Sequence, residues 1–559
     1  MGTTGVQPTR THDFMDISVV TTRPFTDQRP GTSGLRKRVR QFRQPHYLEN
    51  FVQSIFEAHP SLCEGELILG GDGRFHNREA IQTILRMAAA NGVKKVAVGH
   101  AGLLSTPAAS HLIRSRGATG AIILSASHNA GGPEGDFGVK LNTANGGPAP
   151  PGVTDAIYEH SKSLTHYRIA SGTPHVDIDH LHSTHLGEMS VEIIDPVGAY
   201  ADHMATLFDL ERIGELLRSD FFRMRFDAMH AVTGPYAEEI LINRLGAPAE
   251  TLLRAEPLAD FGGRHPDPNL AHTRELCEAL YGRNPPDFGA ASDGDGDRNL
   301  ILGPHFFVTP SDSLAIMAAN AHLIPAFSDG LKGVARSMPT SQAVDVVAKA
   351  LGIPCFETPT GWKFFGNLLD DGRIRLCGEE SFGTSSDHVR EKDGLWAVLF
   401  WLNLLAARRQ SVEEIVRDHW RDYGRHYYTR HDYEALDTAR AEQVMARIGE
   451  QLSSLPGQSL AGMRVAETDD FAYRDPVDGG VTEHQGLRVL FEGGARIVFR
   501  LSGTGTEGAT LRIYIEQYET HPEHLDREPQ ELLRPLIEAA VRLGDLPGLA
   551  GRDKPDVIT

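Results

Sequence analysis

Gly120-Ala121-Ile122-Ile123-Leu124-Ser125-Ala126-Ser127-His128-Asn129-Ala130-Gly131-Gly132 is the stretch on which the fold turns. Its apolar run breaks abruptly into small residues, the pattern of a buried strand that delivers a hydroxyl, Ser127, to a loop beside His128 and Asn129. An ordinary strand end with a Ser-rich turn would read the same way, so the decision falls to the chain around it.

Upstream, the periodicity predicts a strand at 66–70, a helix at about 77–91, a strand at 93–98 and a helix at about 106–116. Strands alternating with helices predict a largely parallel or mixed sheet. The pattern returns twice with little sequence identity. One copy has Arg225 to Ala228, a turn at Gly234-Pro235 and a helix to about 245. The other has Gly333 to Arg336, a turn at Pro339-Thr340, a helix from about 341 to 351 and a strand from Ile353 to Glu357. These are three degenerate α/β units in a row. From about 425 the pattern changes, with strands at about 488–501 and 510–516 and a helix at about 530–543, and predicts a smaller α+β domain.

The 559 residues exceed what one hydrophobic core serves and suit three or four domains. A content of 40% apolar and 23% charged residues is that of a soluble globular protein. The formal net charge of -19 argues against a nucleic-acid partner, which needs a basic face, but leaves room for a small anion at a local cationic cluster. Cys63, Cys277, Cys355 and Cys377 form no CxxC pair, so neither a zinc site nor a disulfide framework is indicated and a reducing compartment fits. The N-terminus has no apolar signal core, and Val6 breaks the myristoylation pattern. The longest apolar run, Leu395 to Ala407, is too short to span a bilayer and predicts a core helix. A cytoplasmic protein without a membrane partner is expected, with no extended disorder beyond the first dozen or so residues.

Three further loops carry chemistry. Ser292-Asp293-Gly294-Asp295-Gly296-Asp297-Arg298-Asn299 sits between expected strands at 288–291 and 299–302, and its alternate carboxylates can converge on one hard cation. An EF-hand is excluded because Arg298 and Pro304 stand where its Gly and Glu belong. Three carboxylates must complete a metal's shell elsewhere, as Mg²⁺ does with phosphate oxygens or water. Gly378-Glu379-Glu380-Ser381-Phe382-Gly383, followed by Asp387 to Gly394 and preceded by Thr358 to Lys363, offers acceptors and donors suited to sugar hydroxyls. Arg500-Leu501-Ser502-Gly503-Thr504-Gly505-Thr506-Glu507-Gly508-Ala509-Thr510-Leu511-Arg512 contains a literal GxGxxG, but a strand follows where a dinucleotide fold needs a helix. Walker A fails as well, with Ala509 after the last glycine, which removes a P-loop kinase. Hydroxyls, glycines and two arginines remain: a phosphate cradle. The basic run Arg29-Pro30-Gly31-Thr32-Ser33-Gly34-Leu35-Arg36-Lys37-Arg38 is either a solvated face or an anion-binding loop.

In this order the four motifs resemble those of the α-D-phosphohexomutases, most of all the glucose-specific phosphoglucomutases, over nearly the whole chain. The resemblance implies three similar α/β domains with mixed sheets and a C-terminal α+β domain like the TATA-box-binding protein, arranged around a central cleft. The implied boundaries are 1–192 (phosphoserine), 193–308 (metal), 309–424 (sugar) and 425–559 (phosphate). It implies Ser127 as the phosphoserine, and Mg²⁺ on Asp293, Asp295 and Asp297 with an oxygen on Ser127 completing the shell. Glu379 and Ser381 would bind sugar hydroxyls, with Thr360 and Gly361 nearby. Arg500, Ser502, Thr504 and Arg512 would clamp the phosphate that is not reacting. Arg36, His128, Lys140, Arg298 and Lys392 would line the reaction centre, with Lys140 as general base.

The implied activity interconverts glucose 1-phosphate and glucose 6-phosphate through glucose 1,6-bisphosphate, in a monomer or homodimer whose partners are sugar phosphates. Nearer alternatives are a mutase serving both mannose and glucose, or a glucose 1,6-bisphosphate synthase. A non-catalytic structural relative would have lost the serine or a metal aspartate, and none is lost here. Two departures stand out. Ala130 replaces the family's usual Pro, predicting a slightly looser loop, and Glu507 puts a carboxylate into the phosphate loop, predicting that it points outward.

Overall fold

The strand Gly120–Leu124 is buried at every residue because it lies inside a sheet. It runs parallel to Glu66–Gly71 on one side and antiparallel to Asp136–Thr143 on the other. A strand covered on both faces needs apolar residues at every position, which is why Ala121-Ile122-Ile123-Leu124 shows no alternation. The computed structural model describes residues 15–31, 33–502 and 508–559. The chain forms two compact units. One holds the residues up to Leu104 with Ala108–Ala126 and Gly131–Pro196; the other holds Ser105–Pro107, Ser127–Ala130 and Val197–Thr559. The turn bearing Ser127 therefore counts with the second unit.

The expected α/β repeat takes one specific form. In the first unit Glu66–Gly71 pairs in parallel with Lys95–Leu103 and with Gly120–Leu124, and the last of these turns back antiparallel into Asp136–Thr143. In the second unit Met224–Asp227 pairs in parallel with Leu252–Leu253 and Phe288–Ser292, and Phe288–Ser292 turns back into Asn299–Gly303. Val334–Ser337 does the same with Cys355–Thr358 and Leu376–Glu379, and Leu376–Glu379 turns back into Gly383–Ser386. Each repeat thus ends in a hairpin, and the Ser127 loop, the acidic loop and the Glu379 loop are the three hairpin connections. The sheets are mixed, with parallel strands at the centre and an antiparallel strand after them.

Helices on these sheets follow their sequence patterns. Asn77–Ala90, Thr106–Arg116 and Ala343–Leu351 lie close to their expected ranges. Gly394–Arg408 is the expected core helix, buried from Gly394 to Ala406, and it packs on both strands of the acidic hairpin and on Gly383–Ser386. The strand expected at 93–98 instead runs from Lys95 to Leu103, and the helix expected to 245 is α-helical only over Thr233–Ala237 before it widens into a π-turn segment, Glu238–Arg244.

The last quarter builds a seven-stranded sheet backed by the helices Thr438–Leu452 and Arg534–Gly544, whose apolar faces join the core with Val489, Ile497, Phe499, Leu511 and Ile513. Two expectations need correction. The strand expected over 488–501 is a hairpin, Leu487–Phe491 and Arg496–Ser502, because Gly493 and Gly494 adopt φ of 86° and 87° and reverse the chain. The helix expected over 530–543 is two pieces, Pro529–Leu532 and Arg534–Gly544, since Pro535 has no N–H to continue the first. The long strand Arg425–Leu436, absent from the expectation, pairs with Ala509–Glu519. Among the described residues, no helix is long and apolar enough to cross a membrane.

Candidate functional site

Ser127 ends its run in the left-handed region, with φ of 51°, a conformation uncommon for a residue with a Cβ. Such outliers persist where surrounding contacts over-determine them, and they concentrate at functional turns. Its hydroxyl donates to Asp293 Oδ2 at 3.1 Å and lies 3.2 Å from His128 Nδ1. The backbone is equally close: a Cβ on Gly294 would stand 2.3 Å from the Ser127 carbonyl oxygen, so only glycine permits this approach. In the first unit, the strand end leading to this turn is fixed from below. Ser125 Oγ donates to Asp72 Oδ2 at 2.7 Å, and the buried Arg74 guanidinium holds both Asp72 oxygens.

The acidic turn folds around its own first carboxylate. Asp293 Oδ1 accepts the N–H groups of Asp297 (2.9 Å) and Arg298 (3.0 Å). Asp295 Oδ2 accepts the Thr106 hydroxyl at 2.7 Å, and Asp297 Oδ2 faces Lys392 Nζ at 3.2 Å. One oxygen from each aspartate lies within 4.8 Å of the others, and all three residues are buried. Burial, followed by the charges of Asp297 and Asp295, pushes the Asp293 carboxyl well above the ordinary aspartate range, against the pull of Arg298 and Lys392. Asp297 Oδ1 is buried and has no hydrogen-bond partner among the described residues. Crowded carboxylates, one of them with an unsatisfied buried oxygen, fit a divalent cation on oxygen ligands. Arg298 does not neutralise the triad outright, since its guanidinium is turned to Asp267 at 3.1 Å.

The Glu379 hairpin is built differently. Glu379 Oε1 accepts the Gly361 N–H at 2.9 Å, which joins two of the segments expected to meet. Burial and neighbouring Glu380 raise the Glu379 carboxyl, with Lys392 opposing. Thr360 Oγ1 is buried without a hydrogen-bond partner among the described residues, and Ser381 is half-buried at the turn. The Glu380 N–H donates to Thr340 Oγ1 at 2.8 Å. Trp362 is part of the core against Phe365 rather than an exposed platform.

On the last sheet, Asp432, Arg512 and Arg500 sit opposite one another on three adjacent strands, forming a row on one face. Arg512 Nε pairs with Asp432 at 3.5 Å, and Arg500 donates to Gln485 O at 3.0 Å and to the Tyr514 hydroxyl at 3.3 Å. Ser502 ends its strand at this edge. Thr504 and Glu507 lie outside the described residues. Arg430, two residues from Asp432, joins the row with its Nε 3.0 Å from Asp432, and its charge acts on Arg298. The sequence reading missed Arg430. Its signal was the alternation of Tyr428, Arg430 and Asp432, which puts all three on one face of a strand.

Arg36 and Lys140 belong to the first unit. They lie on paired strands, Leu35–Arg38 and Asp136–Thr143; Arg36 is opposite Gly138, so Arg36 and Lys140 share a face diagonally.

Comparison with known proteins agrees along the length. Family models match residues 27–168 as phosphoglucomutase/phosphomannomutase alpha/beta/alpha domain I, 198–305 as domain II and 310–423 as domain III. Residues 425–556 match the phosphoglucomutase-1 C-terminal domain. A phosphoglucomutase of Rhizobium radiobacter is 55% identical over 97% of this chain and 100% of its own length. A probable cytoplasmic phosphoglucomutase of Arabidopsis thaliana is 52% identical over 97% and 99%. Among solved structures, the open form of the Paramecium phosphoprotein pp63/parafusin, a phosphoglucomutase, superposes with a TM-score of 0.90 at 47% identity, covering 97% of this chain and 99% of that one.

Proposed function

Because the chain belongs to the phosphoglucomutase/phosphomannomutase family of isomerases, we propose that it interconverts glucose 1-phosphate and glucose 6-phosphate through a phosphoserine at Ser127. The observation that carries this reading is the Ser127 hydroxyl at 3.1 Å from Asp293, inside a cluster of three buried aspartates. The four matched segments support dividing the chain at 1–192, 193–308, 309–424 and 425–559.

Phosphoryl transfer asks for in-line placement and for neutralisation of spreading charge. In the proposed cycle the phosphorus–Oγ bond of phosphorylated Ser127 breaks as a bond forms to O6 of glucose 1-phosphate, and Lys140 takes the O6 proton. The product, glucose 1,6-bisphosphate, turns over and returns its C1 phosphoryl to Ser127, leaving glucose 6-phosphate. Asp293, Asp295 and Asp297, with an oxygen on Ser127, would hold Mg²⁺. When bound, that ion withdraws charge from the phosphoryl oxygens. Arg36, His128, Arg298 and Lys392 neutralise the same group from the protein side. Glu379 and Ser381, beside Thr360 and Gly361, accept and donate to sugar hydroxyls. Arg500, Ser502, Thr504 and Arg512, joined by Arg430, hold the distal phosphate. The cytoplasmic name of the Arabidopsis relative supports a cytoplasmic site of action.

Intact mass and turnover of Ser127→Ala test the reading. The variant should carry no phosphate on the protein and lose turnover by about 10⁴-fold or more; full activity removes the assignment. Rates on glucose 1-phosphate against mannose 1-phosphate decide whether one sugar or two are served.

A further inference from the structure

The tripeptide Lys392-Asp393-Gly394 links the ammonium at Asp297 to the first turn of the buried helix Gly394–Arg408. We propose that Asp393, gripped by Tyr200 and His388, and Gly383, over which the lysine stem lies, are positioning residues that fix the Lys392 ammonium against the acidic turn. The proposal rests on the reading of that turn as the reaction centre.

A lysine is a point charge on a flexible four-carbon stem, so holding its ammonium in one place requires restraint of both the stem and the backbone that launches it. Both restraints are present. A Cβ on Gly383 would stand 2.3 Å from Lys392 Cδ, so the stem runs directly over that glycine. Next in sequence, Asp393 is completely buried and both of its carboxylate oxygens are engaged. Its N–H donates to Thr384 O at 3.1 Å. Its Oδ1 accepts the Tyr200 hydroxyl at 2.6 Å and, as the helix cap, the Trp396 N–H at 3.0 Å. Its Oδ2 lies 3.0 Å from His388 Nε2, whose Nδ1 lies 2.7 Å from Ser386 Oγ. The His388 ring is stacked between Trp396 and His203, with centroids at 5.2 Å and 5.8 Å. One residue further on, the Gly394 N–H donates to the carbonyl of Gly296 in the acidic turn at 3.0 Å.

Helix capping alone accounts for the Trp396 contact. It does not call for a tyrosine from Pro196–Leu207, a histidine wedged between two rings and a backbone bond to Gly296. These contacts fix the two residues that follow Lys392, and the shared target of the constrained segment is the acidic turn. Partners that orient a charged group near a reacting site commonly matter by about 10–100-fold in activity when removed.

The test uses the full-length enzyme with Mg²⁺ and glucose 1-phosphate, measuring kcat, KM and thermal midpoint for Lys392→Met, Tyr200→Phe, Gly383→Ala and the double variant Tyr200→Phe/Lys392→Met. Tyr200→Phe removes one hydroxyl and keeps the ring, which makes it the main probe; Gly383→Ala approaches the lysine from the other side. Lys392→Met should lower kcat by about 10²–10³-fold. Tyr200→Phe and Gly383→Ala should each lower kcat by about 10-fold with KM within about twofold, and the double variant should be no slower than Lys392→Met alone. If Tyr200→Phe lowers kcat by the same factor with and without Lys392, it acts elsewhere and the positioning role is overturned. Wild-type kcat in both Tyr200→Phe and Gly383→Ala overturns it too, while a slow Lys392→Met leaves the reaction centre standing. Wild-type kcat in Lys392→Met overturns that reading of the centre, and the proposal with it.

Discussion

Two acidic clusters in the second unit have opposite electrostatics. At the acidic turn, Asp293, Asp295 and Asp297 crowd together with one ammonium from Lys392, while Arg298 is engaged by Asp267, and the Asp293 carboxyl is driven up. Where the last sheet meets the preceding repeat, Glu516 is buried and Asp345 and Glu357 are half-buried, and each is held below its ordinary range. The difference is guanidinium supply. Arg336 clasps Asp345 through two nitrogens and Glu357 through a third, at 2.7–2.9 Å. Arg488 reaches across to Glu357 at 2.8 Å. Arg496 donates to Glu516 at 2.6 Å, and to the carbonyls of Met338 and Thr340, while Gln342 N–H donates to Glu516 Oε1 at 2.8 Å. A cluster that neutralises itself is a joint. One that leaves carboxylates crowded is shaped for a cation from outside.

The sharpest way to break this contrast is Asp295→Asn. It should lower kcat by about 10³-fold and yet raise the thermal midpoint of chelator-treated protein, because one of three crowded charges is gone. A lower midpoint would mean that the cluster is already balanced.

At the joint the same logic reverses. Arg496→Met should destabilise the protein by about 3–5 kcal/mol in a denaturant titration, since Glu516 is left buried without its cation. Stability unchanged by that substitution would put the joint and the acidic turn in one class.

Proton linkage separates the clusters by sign. Burial pushes Glu516 up, but Arg496 and His426 outweigh it and bring the carboxyl from 4.5 to about 2. Its contribution, on the order of 3 kcal/mol, is therefore complete above pH 4.5 and fades as pH falls toward 2. Asp293 is raised, so its protonation favours the folded state below the unfolded value of 3.8, and that advantage is lost as pH rises through the folded value. On the proposed function Mg²⁺ would displace this proton, so the midpoint gain from added Mg²⁺ should grow with pH. Scanning calorimetry across pH with Mg²⁺ or chelator reads both trends, and a gain that shrinks with pH contradicts the assignment of the acidic turn.

The smallest effect belongs to Glu357→Gln. Half-exposed and shared by two arginines, Glu357 should cost about 1–2 kcal/mol when its charge is removed, with kcat unchanged.

Much of this was legible in the chain. The three α/β repeats follow from strand and helix periods, and Asp293-Gly294-Asp295-Gly296-Asp297 marks where three carboxylates come within reach of one cation. Glu379 and Gly361 were expected together and meet. What stayed hidden has a common cause, since polar residues buried by partners distant in sequence leave no local pattern. Arg425–Leu436 carries His, Tyr, Thr and Asp on buried positions, so no apolar alternation marks it as a strand, and Arg430 was missed with it. The joint is invisible because its partners are distant in sequence: Arg496 reaches carbonyls more than 150 positions away. Gly493-Gly494 and Pro535 were different: both breaks carried standard turn and helix-stop signals that a longer apolar stretch outweighed.

The recurring hairpin has a consequence for how such an enzyme can change. Each reactive segment hangs between two strands already locked by their own ladder, and the connecting segments differ greatly in length: 125–135 in the first repeat, 293–298 in the second and 380–382 in the third. Insertions and exchanges there alter what is presented without rewriting the frame that presents it. Three sockets of one design can therefore be fitted separately, which on the proposed function means one for a nucleophile, one for an ion and one for a sugar.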